Sequence, residues 1–237
     1  MVEAPAMQTR RVFSVLTTCI LLAAGCGVNK SIRVADGETI NGGRATVNGN
    51  VSIGIDCTVN GDCRTVNGRV SVGTGSQVGS LQSVNGSIKI ADNVSIDGEV
   101  GTVNGSIKLA ENTTVTGDVE TVNGSVACEP GGTIEEDIMT VNGSIRLTRT
   151  EVKGNLRTVN GSLTLEDNSR LGGSIFIKGK STRYGQKKAI EISISDGSVV
   201  EGDIIVRDSK RKVKVILSGG GKVLGEIEHA EVIERES

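Results

Sequence analysis

Aromatic residues are almost missing from this chain: 237 residues include no Trp, 1 Tyr and 2 Phe. A wide interior normally draws on such bulk, so whatever core forms must be narrow and aliphatic. Histidine occurs once, as His229, and proline twice. A single histidine cannot furnish a repeated catalytic triad, and no CxxC pair accompanies it, so neither a metal nor a cofactor is expected. Charge is nearly balanced, with 26 Lys and Arg against 28 Asp and Glu. That balance makes nucleic acid a poor partner. The carboxylates are scattered, as Asp97 and Glu99, Asp118 and Glu120, then Glu135, Glu136 and Asp137. Their simplest role is solvation of an outer face and protection against sideways aggregation. There is no Gly-x-Ser-x-Gly elbow, and Ser218-Gly219-Gly220-Gly221-Lys222 lacks the spacing of a phosphate loop. The chain is not expected to be an enzyme.

What is abundant is glycine, 33 residues of it, and much of it recurs on a beat. Val47, Val66, Val84, Val103, Val122, Val141 and Val159 each open a Val-Asn-Gly step at intervals of 19, 18, 19, 19, 19 and 18 residues. A period this short marks a solenoid, in which one coil buries its apolar side only by stacking on the next. With each Val as position zero, position four reads Val51, Val70, Ile88, Ile107, Val126, Ile145 and Leu163. Position six reads Ile53, Val72, Ile90, Leu109, Cys128, Leu147 and Leu165. A two-residue step is the strand period, so both columns face the same way. Position twelve (Val59, Val78, Ile96, Val115, Ile134, Leu171, with Val152 one place early) and position sixteen (Cys63, Val100, Val119, Ile138, Ile175, with Leu81 and Leu156 one place early) complete the set. With the motif valine these make five inward aliphatic slots per coil.

The phase extends upstream through Ile32, Val34 and Ile40, and downstream through Ile192, Ile194, Val200, Val215, Leu217, Val223 and Ile227. About ten coils over residues 28–228 follow, with an insertion near 179–189 and a charged C-terminal tail at 229–237. At about 4.8 Å per strand the rod measures on the order of 50 Å. The predicted class is all-β, a single-stranded β-solenoid. The Asn-Gly pair is assigned to one corner, where glycine can take a positive φ. Asn48, Asn67, Asn85, Asn104, Asn123, Asn142 and Asn160 then stack, and their amides can form a hydrogen-bonded ladder. A second glycine column (Gly61, Gly79, Gly98, Gly117, Gly154, Gly173) marks another corner. Asn-Gly is also a strong hairpin signal, so an antiparallel meander is the competing architecture.

Residues 1–25 read as an export leader. Arg10 and Arg11 precede an apolar run from Val12 to Ala24, too short to span a bilayer comfortably. Ala23-Ala24-Gly25 before Cys26 resembles the bacterial lipoprotein signal, which implies lipidation of Cys26 and a membrane anchor at 26–27. Gly27, with no Asp in that place, resembles lipoproteins sent on to the outer membrane. Thr9-Arg10-Arg11-Val12-Phe13 also resembles a twin-arginine export motif, the less favoured route. Of the remaining cysteines, Cys63 and Cys128 occupy aliphatic columns and read as small core residues. A bridge between Cys57 and Cys63 is the competing arrangement.

Two irregular stretches are candidates for binding. The insertion holds Arg183, Tyr184, Lys187 and Lys188 beside Lys180, and the segment 207–214 adds Lys210, Arg211 and Lys212. Clustered positive charge could meet lipid phosphates or an acidic envelope polysaccharide; a solvated basic loop is the plainer reading. The Thr column (Thr46, Thr65, Thr102, Thr121, Thr140, Thr158) resembles the regular arrays of antifreeze solenoids, on a face that would be narrow.

The phrase Val103-Asn104-Gly105-Ser106-Ile107-Lys108-Leu109 with Val115-Thr116-Gly117-Asp118-Val119 resembles bactofilins, the polymer-forming cytoskeletal proteins of bacteria. The resemblance covers roughly residues 28–228 and implies a right-handed β-helix with about three short faces per coil, able to join end to end. The Thr-Val-Asn-Gly-Ser phrases are also similar to repeated β-strand domains of bacterial adhesins. The expectation is a non-enzymatic envelope lipoprotein, a rigid scaffold or spacer that self-associates as a homo-oligomer. A surface adhesin or glycan-binding rod is the alternative.

Overall fold

Three-residue strands with an apolar first and last residue put two side chains on one face and one on the other, and that unit recurs from coil to coil beside shorter and longer strands. A computed structural model describes residues 29–179 and 189–235. Its strands form three sheets of 11, 10 and 10 members, in which each strand pairs with the strands three before and three after it in sequence. Every pairing is parallel. The chain is therefore a parallel β-solenoid, and the antiparallel meander is excluded.

Each coil has three faces. Face I contains Ile32–Val34, Val51–Ile53, Ile107–Leu109, Ile145–Thr148 and, last, Val213–Ser218 and Glu231–Arg235. Face II contains two- and three-residue strands such as Thr58–Asn60, Thr114–Val115 and Lys222–Val223. Face III runs from Arg44–Thr46 through Val100–Asn104 and Ile138–Asn142 to Ile227–Glu228. Register places like on like, Ile88 on Ile107 on Val126 on Ile145 on Leu163. The same holds for Val100, Val119, Ile138 and Leu156 on face III.

The inward columns at positions four, six, twelve and sixteen form one continuous core; Ile138, Leu147, Leu156 and Leu163 have no solvent exposure. Each such side chain contributes roughly 1.5–3 kcal/mol when fully buried. The 18-residue repeats absorb their missing residue at corners, never in strands. Cys63 pairs with Leu81 although Val59 pairs with Val78, so the loss falls beside Gly79.

Two boundaries shift. The stretch 229–237, which reads as a tail, contributes one more strand, Glu231–Arg235, paired with Val213–Ser218. The motif valines are not core residues. Val47, Val66, Val84, Val103, Val122, Val141 and Val159 are half-buried on the outside of face III, while the preceding Thr or Ser points in. Alternation along the strand demands this: with Val100 inward, Thr102 is inward and Val103 outward. Each coil thus has four inward aliphatic slots, and the leader, Cys26 and residues 180–188 lie outside the described residues.

Candidate functional site

The Asn-Gly corner joins face III to face I, and the seven predicted asparagines stack along it. Each Nδ2 donates to the Oδ1 one coil earlier: Asn67 to Asn48 at 2.7 Å, Asn85 to Asn67 at 2.9 Å, Asn104 to Asn85 at 2.8 Å. Asn123, Asn142 and Asn160 continue at 2.9 Å, and Asn48 starts the series on Asn29 at 2.8 Å. Such a ladder has a direction, so its last oxygen needs a donor. Asn160 Oδ1 receives one from Arg211 Nη2 at 3.0 Å. Gly179 stands where the next asparagine would be; a Cβ there would lie 3.0 Å from Arg211 Nη1.

The glycines of this corner serve a different purpose from the one expected. None of Gly68, Gly86, Gly105, Gly124 and Gly143 has a positive φ. A Cβ on any of them would instead overlap a backbone carbonyl of the coil below, closer than 3.0 Å. Close stacking, rather than a left-handed turn, requires glycine here.

The left-handed residues form another column, at the corner from face I to face II. Gly37, Asp56, Gly75, Asn93, Asn112, Gly131, Arg149, Asn168 and Gly197 all have φ between 45° and 74° or close to it, with Gly131 at 79°. Gly, Asn and Asp are the residues that tolerate this conformation. Just after it runs an inward column of small polar side chains: Cys57, Ser76, Thr113, Thr150, Ser169 and Ser198, all buried. They bond buried main-chain groups, as in Cys57 N–H to Ser76 Oγ at 3.0 Å and Ser169 N–H to Ser198 Oγ at 3.0 Å.

At the third corner, from face II to face III, the acidic residues have a structural duty. Asp62 Oδ1 accepts from Ser80 N–H at 3.2 Å, Asp118 Oδ1 from Asp137 N–H at 3.0 Å, Asp137 Oδ1 from Asn155 N–H at 2.7 Å, and Asp203 Oδ1 from Glu226 N–H at 2.9 Å. Asp137 also pairs with Arg157 at 2.5 Å, and that guanidinium lies 5.4 Å from the Phe176 ring centre. Solvation alone does not account for these carboxylates. The Thr column is likewise internal: Thr65, Thr102 and Thr121 donate to the carbonyls of Gly49, Gly86 and Gly105 at 2.8–2.9 Å. A buried column offers no ice-binding face.

Cys57, Cys63 and Cys128 are free and buried, so the Cys57–Cys63 bridge is not formed. Burial pushes the Cys63 thiol up to about 11 and that of Cys128 up to about 12. Such thiols are poor nucleophiles near neutrality. Among the described residues no group of three or more His, Cys, Asp or Glu is placed to hold a metal.

The irregular part of the rod lies at the Asn-Gly corner of its last coils. Face I pairs Leu163 with Ile192, 29 residues on, and Ile192 with Val215, 23 residues on, so both insertions leave the rod at this one corner. Lys178 follows Val159 in the stack and Arg207 follows Lys178, replacing valine by cations. Burial, and then the charges of Arg157 and Arg207, hold Lys178 below the usual lysine range against the opposing Asp137. Arg211, Lys212, Val213, Lys214, His229 and Glu231 line a cavity of about 410 Å³. Lys210, Arg211 and Lys212 were legible as a basic run, whereas His229 and Lys214 join them only through the coil geometry. Arg183, Tyr184, Lys187 and Lys188 lie outside the described residues.

No family model, curated protein or solved structure matches this chain.

Proposed function

We propose that this chain is a non-enzymatic envelope lipoprotein whose β-solenoid is a stiff scaffold or spacer, fastened by a lipid on Cys26 to a membrane, the outer one in a diderm cell. The observation that carries the reading is the unbroken register of three parallel sheets from Ile32 to Arg235. Each corner adds its own side-chain ladder, so a bend would break hydrogen bonds at a corner as well as in a sheet. Ten coils at about 4.8 Å make a shaft about 50 Å long. A shaft with a continuous aliphatic core transmits distance and load.

The ends of the described rod support a reading in which copies self-associate. Among the described residues the strands Ile32–Val34, Thr39–Asn41 and Arg44–Thr46 each have one strand neighbour, as do Lys222–Val223, Ile227–Glu228 and Glu231–Arg235. Unpaired edges of parallel sheets are templates for another copy. The first end carries Lys30, Arg33 and Arg44 with Asp36 and Glu38; the last carries Glu226, Glu228, Glu231 and Glu234 with Lys222 and Arg235. Opposite net charge favours head-to-tail contact. The resemblance to bactofilins supports the same mode.

Lipid-labelling mass spectrometry with cell fractionation tests the anchor: the wild type should carry acyl mass and sediment with membranes, and Cys26→Ser should do neither. Micrographs of the unlipidated protein at rising concentration test the ends. Only single shafts at high concentration would remove self-association. The adhesin or glycan-binding alternative draws on the basic corner and predicts that Lys187→Glu with Lys188→Glu abolishes attachment.

A further inference from the structure

We propose that Asn160 is a self-modification site: its side-chain amide, followed in sequence by Gly161, is converted to a carboxylate that Arg211 then holds as an ion pair. The site goes beyond the scaffold reading and does not depend on it.

An asparagine followed by glycine can lose its amide without an enzyme, because no Cβ on the glycine obstructs attack by its backbone nitrogen. The Gly161 nitrogen forms a bond to Asn160 Cγ, the Cγ–Nδ2 bond breaks, and Nδ2 leaves as ammonia with the proton of the Gly161 N–H. Solvent water then opens the imide ring to aspartate or isoaspartate. No oxidation state changes. Every asparagine from Asn48 to Asn160 in the ladder is followed by glycine, so the sequence by itself selects none of them.

The fold does select. From Asn48 to Asn142 each side chain donates to a neutral amide one coil below and accepts from a neutral amide one coil above. Ring closure there breaks both bonds. Asn104, Asn123 and Asn142 also end the strands Val100–Asn104, Val119–Asn123 and Ile138–Asn142, and extended backbone keeps Cγ away from the following nitrogen. At Asn160 these restraints lapse: its strand stops at Thr158, and the coil above offers Gly179 at the place of an asparagine. Asn160 is exposed, so solvent reaches it. Two further Asn-Gly pairs, Asn41-Gly42 and Asn60-Gly61, lie at another corner, where the glycine N–H donates to the carbonyl of Asn60 or of Val59 and the attacking nitrogen is held in place.

Arg211 acts twice. Its Nη2 donates to Asn160 Oδ1 at 3.0 Å, and a guanidinium there stabilises the negative charge that grows on Oδ1 as the ring closes. It then retains the product. Arg211 is 5% exposed, and among the described residues its Nε and Nη1 have no hydrogen-bond partner, a costly state for a buried cation. Asp208 acts on it through charge, while Asp208 Oδ1 accepts from Lys210 N–H at 3.0 Å; residues 180–188 contain no Asp or Glu. A carboxylate made at position 160 needs no path to the guanidinium, because that side chain already touches it. It brings a full charge and more acceptor capacity than the amide oxygen. On any rung the new carboxylate faces the Oδ1 of the coil below, acceptor against acceptor; only at 160 does a cation above offset that loss.

The test is peptide mapping by mass spectrometry of the full chain during incubation in warm, mildly alkaline buffer. Each rate is divided by that of the same peptide in urea-unfolded chain, which removes the effect of local sequence. So normalised, conversion at Asn160 should run at least roughly tenfold faster than at Asn104, Asn123 or Asn142. Equal or slower conversion at Asn160 overturns the site. The ratio of Asn160 to Asn142 conversion measures the part played by Arg211, because fraying of the last coils raises both. Arg211→Gln should bring that ratio toward parity; a ratio unchanged or raised overturns the part given to Arg211. Retention of the product is read separately: Asn160→Asp should melt no lower than the wild type while Asn142→Asp melts lower, and an equal or greater loss for Asn160→Asp overturns the ion pair.

Discussion

Replacing Gly124 by Ala and Gly131 by Asn separates two reasons for glycine that sit seven residues apart in one coil. Gly124 lacks a positive φ, yet a methyl group on it would overlap the carbonyl oxygen of Gly105 in the coil below. The obstacle is backbone held in a parallel ladder, so the coils must separate locally or the strands must slide. Forced overpacking of this kind costs about 1–3 kcal/mol, and the lower end suits a neighbour that can give way. We expect about 2–3 kcal/mol for Gly124→Ala. Gly131 has φ 79°, and a Cβ on it would meet only the end of the Asn112 side chain, an amide that can turn aside and whose own Nδ2 donates to Asn93 Oδ1 at 3.2 Å. Asn at 131 would stand on Asn112 as Asn112 stands on Asn93, and asparagine tolerates the left-handed region. Its cost should stay below about 1 kcal/mol. For a chain of this size 1 kcal/mol moves the melting temperature by roughly 2–4 °C, so Gly124→Ala should melt about 4–12 °C lower and Gly131→Asn within about 4 °C of wild type. Circular dichroism in the strand region is the suitable readout, because the chain has no Trp. Equal losses, or a larger loss at Gly131, would refute the steric account of the Asn-Gly corner.

Leu147→Ala, deep in the core with no exposure, should cost about 2–5 kcal/mol, measured by urea unfolding. Asn104→Asp removes the amide donor to Asn85 while keeping an acceptor for Asn123; a loss of about 1 kcal/mol is expected at neutral pH, part of it recovered on acidification, and an unchanged midpoint would strip the ladder of energetic meaning. Cys63 and Cys128 keep their protons in the fold up to about 11 and about 12 against 9.0 for the ordinary thiol. As the pH rises past 9.0 the unfolded chain therefore loses protons that the folded chain retains, and stability falls between there and those raised values. Iodoacetamide at pH about 8 should label neither cysteine in the native protein and both after urea, as peptide mass mapping would show.

The period and four of the five aliphatic columns were legible because like must lie on like when coils stack in parallel. The direction of the motif valine was not, for a physical reason. Thr and Val have nearly the same shape, and either could point inward from a strand. The choice is made by the carbonyl oxygens of Gly49, Gly86 and Gly105, which turn toward the interior at the corner and take a hydrogen bond from the Thr one coil on. A Val in that place would leave a buried acceptor short of a donor. The left-handed column was present in the letters as Gly37, Asp56, Gly75, Asn93, Asn112 and Gly131, all residues suited to positive φ. It was hidden by the one-residue shifts of the short repeats and by Arg149, whose φ of 45° its residue type does not announce. The acidic corner was misread because carboxylates spaced along a rod look the same whether they face water or cap the next coil's N–H groups.

The place where the rod departs from its repeat follows from the polarity of the amide ladder. Every asparagine donates backward, so the strain of stopping falls on the last oxygen, that of Asn160, and not on the first residue, Asn29. Continuing the ladder needs only another asparagine. The chain instead puts Gly179 at that register, and the space it leaves admits the guanidinium of Arg211, 51 residues after Asn160 in sequence. The corner has thereby exchanged a neutral amide rung for a buried cation with spare donors, at the only corner whose described coils carry insertions of this length. The other two corners tolerate no such exchange, since their ladders run through main-chain N–H groups and inward hydroxyls on which the next coil depends. The amide ladder is exposed and side chain to side chain, so it can be interrupted without opening a sheet. Variation is cheapest there, which is where both long departures from the repeat occur.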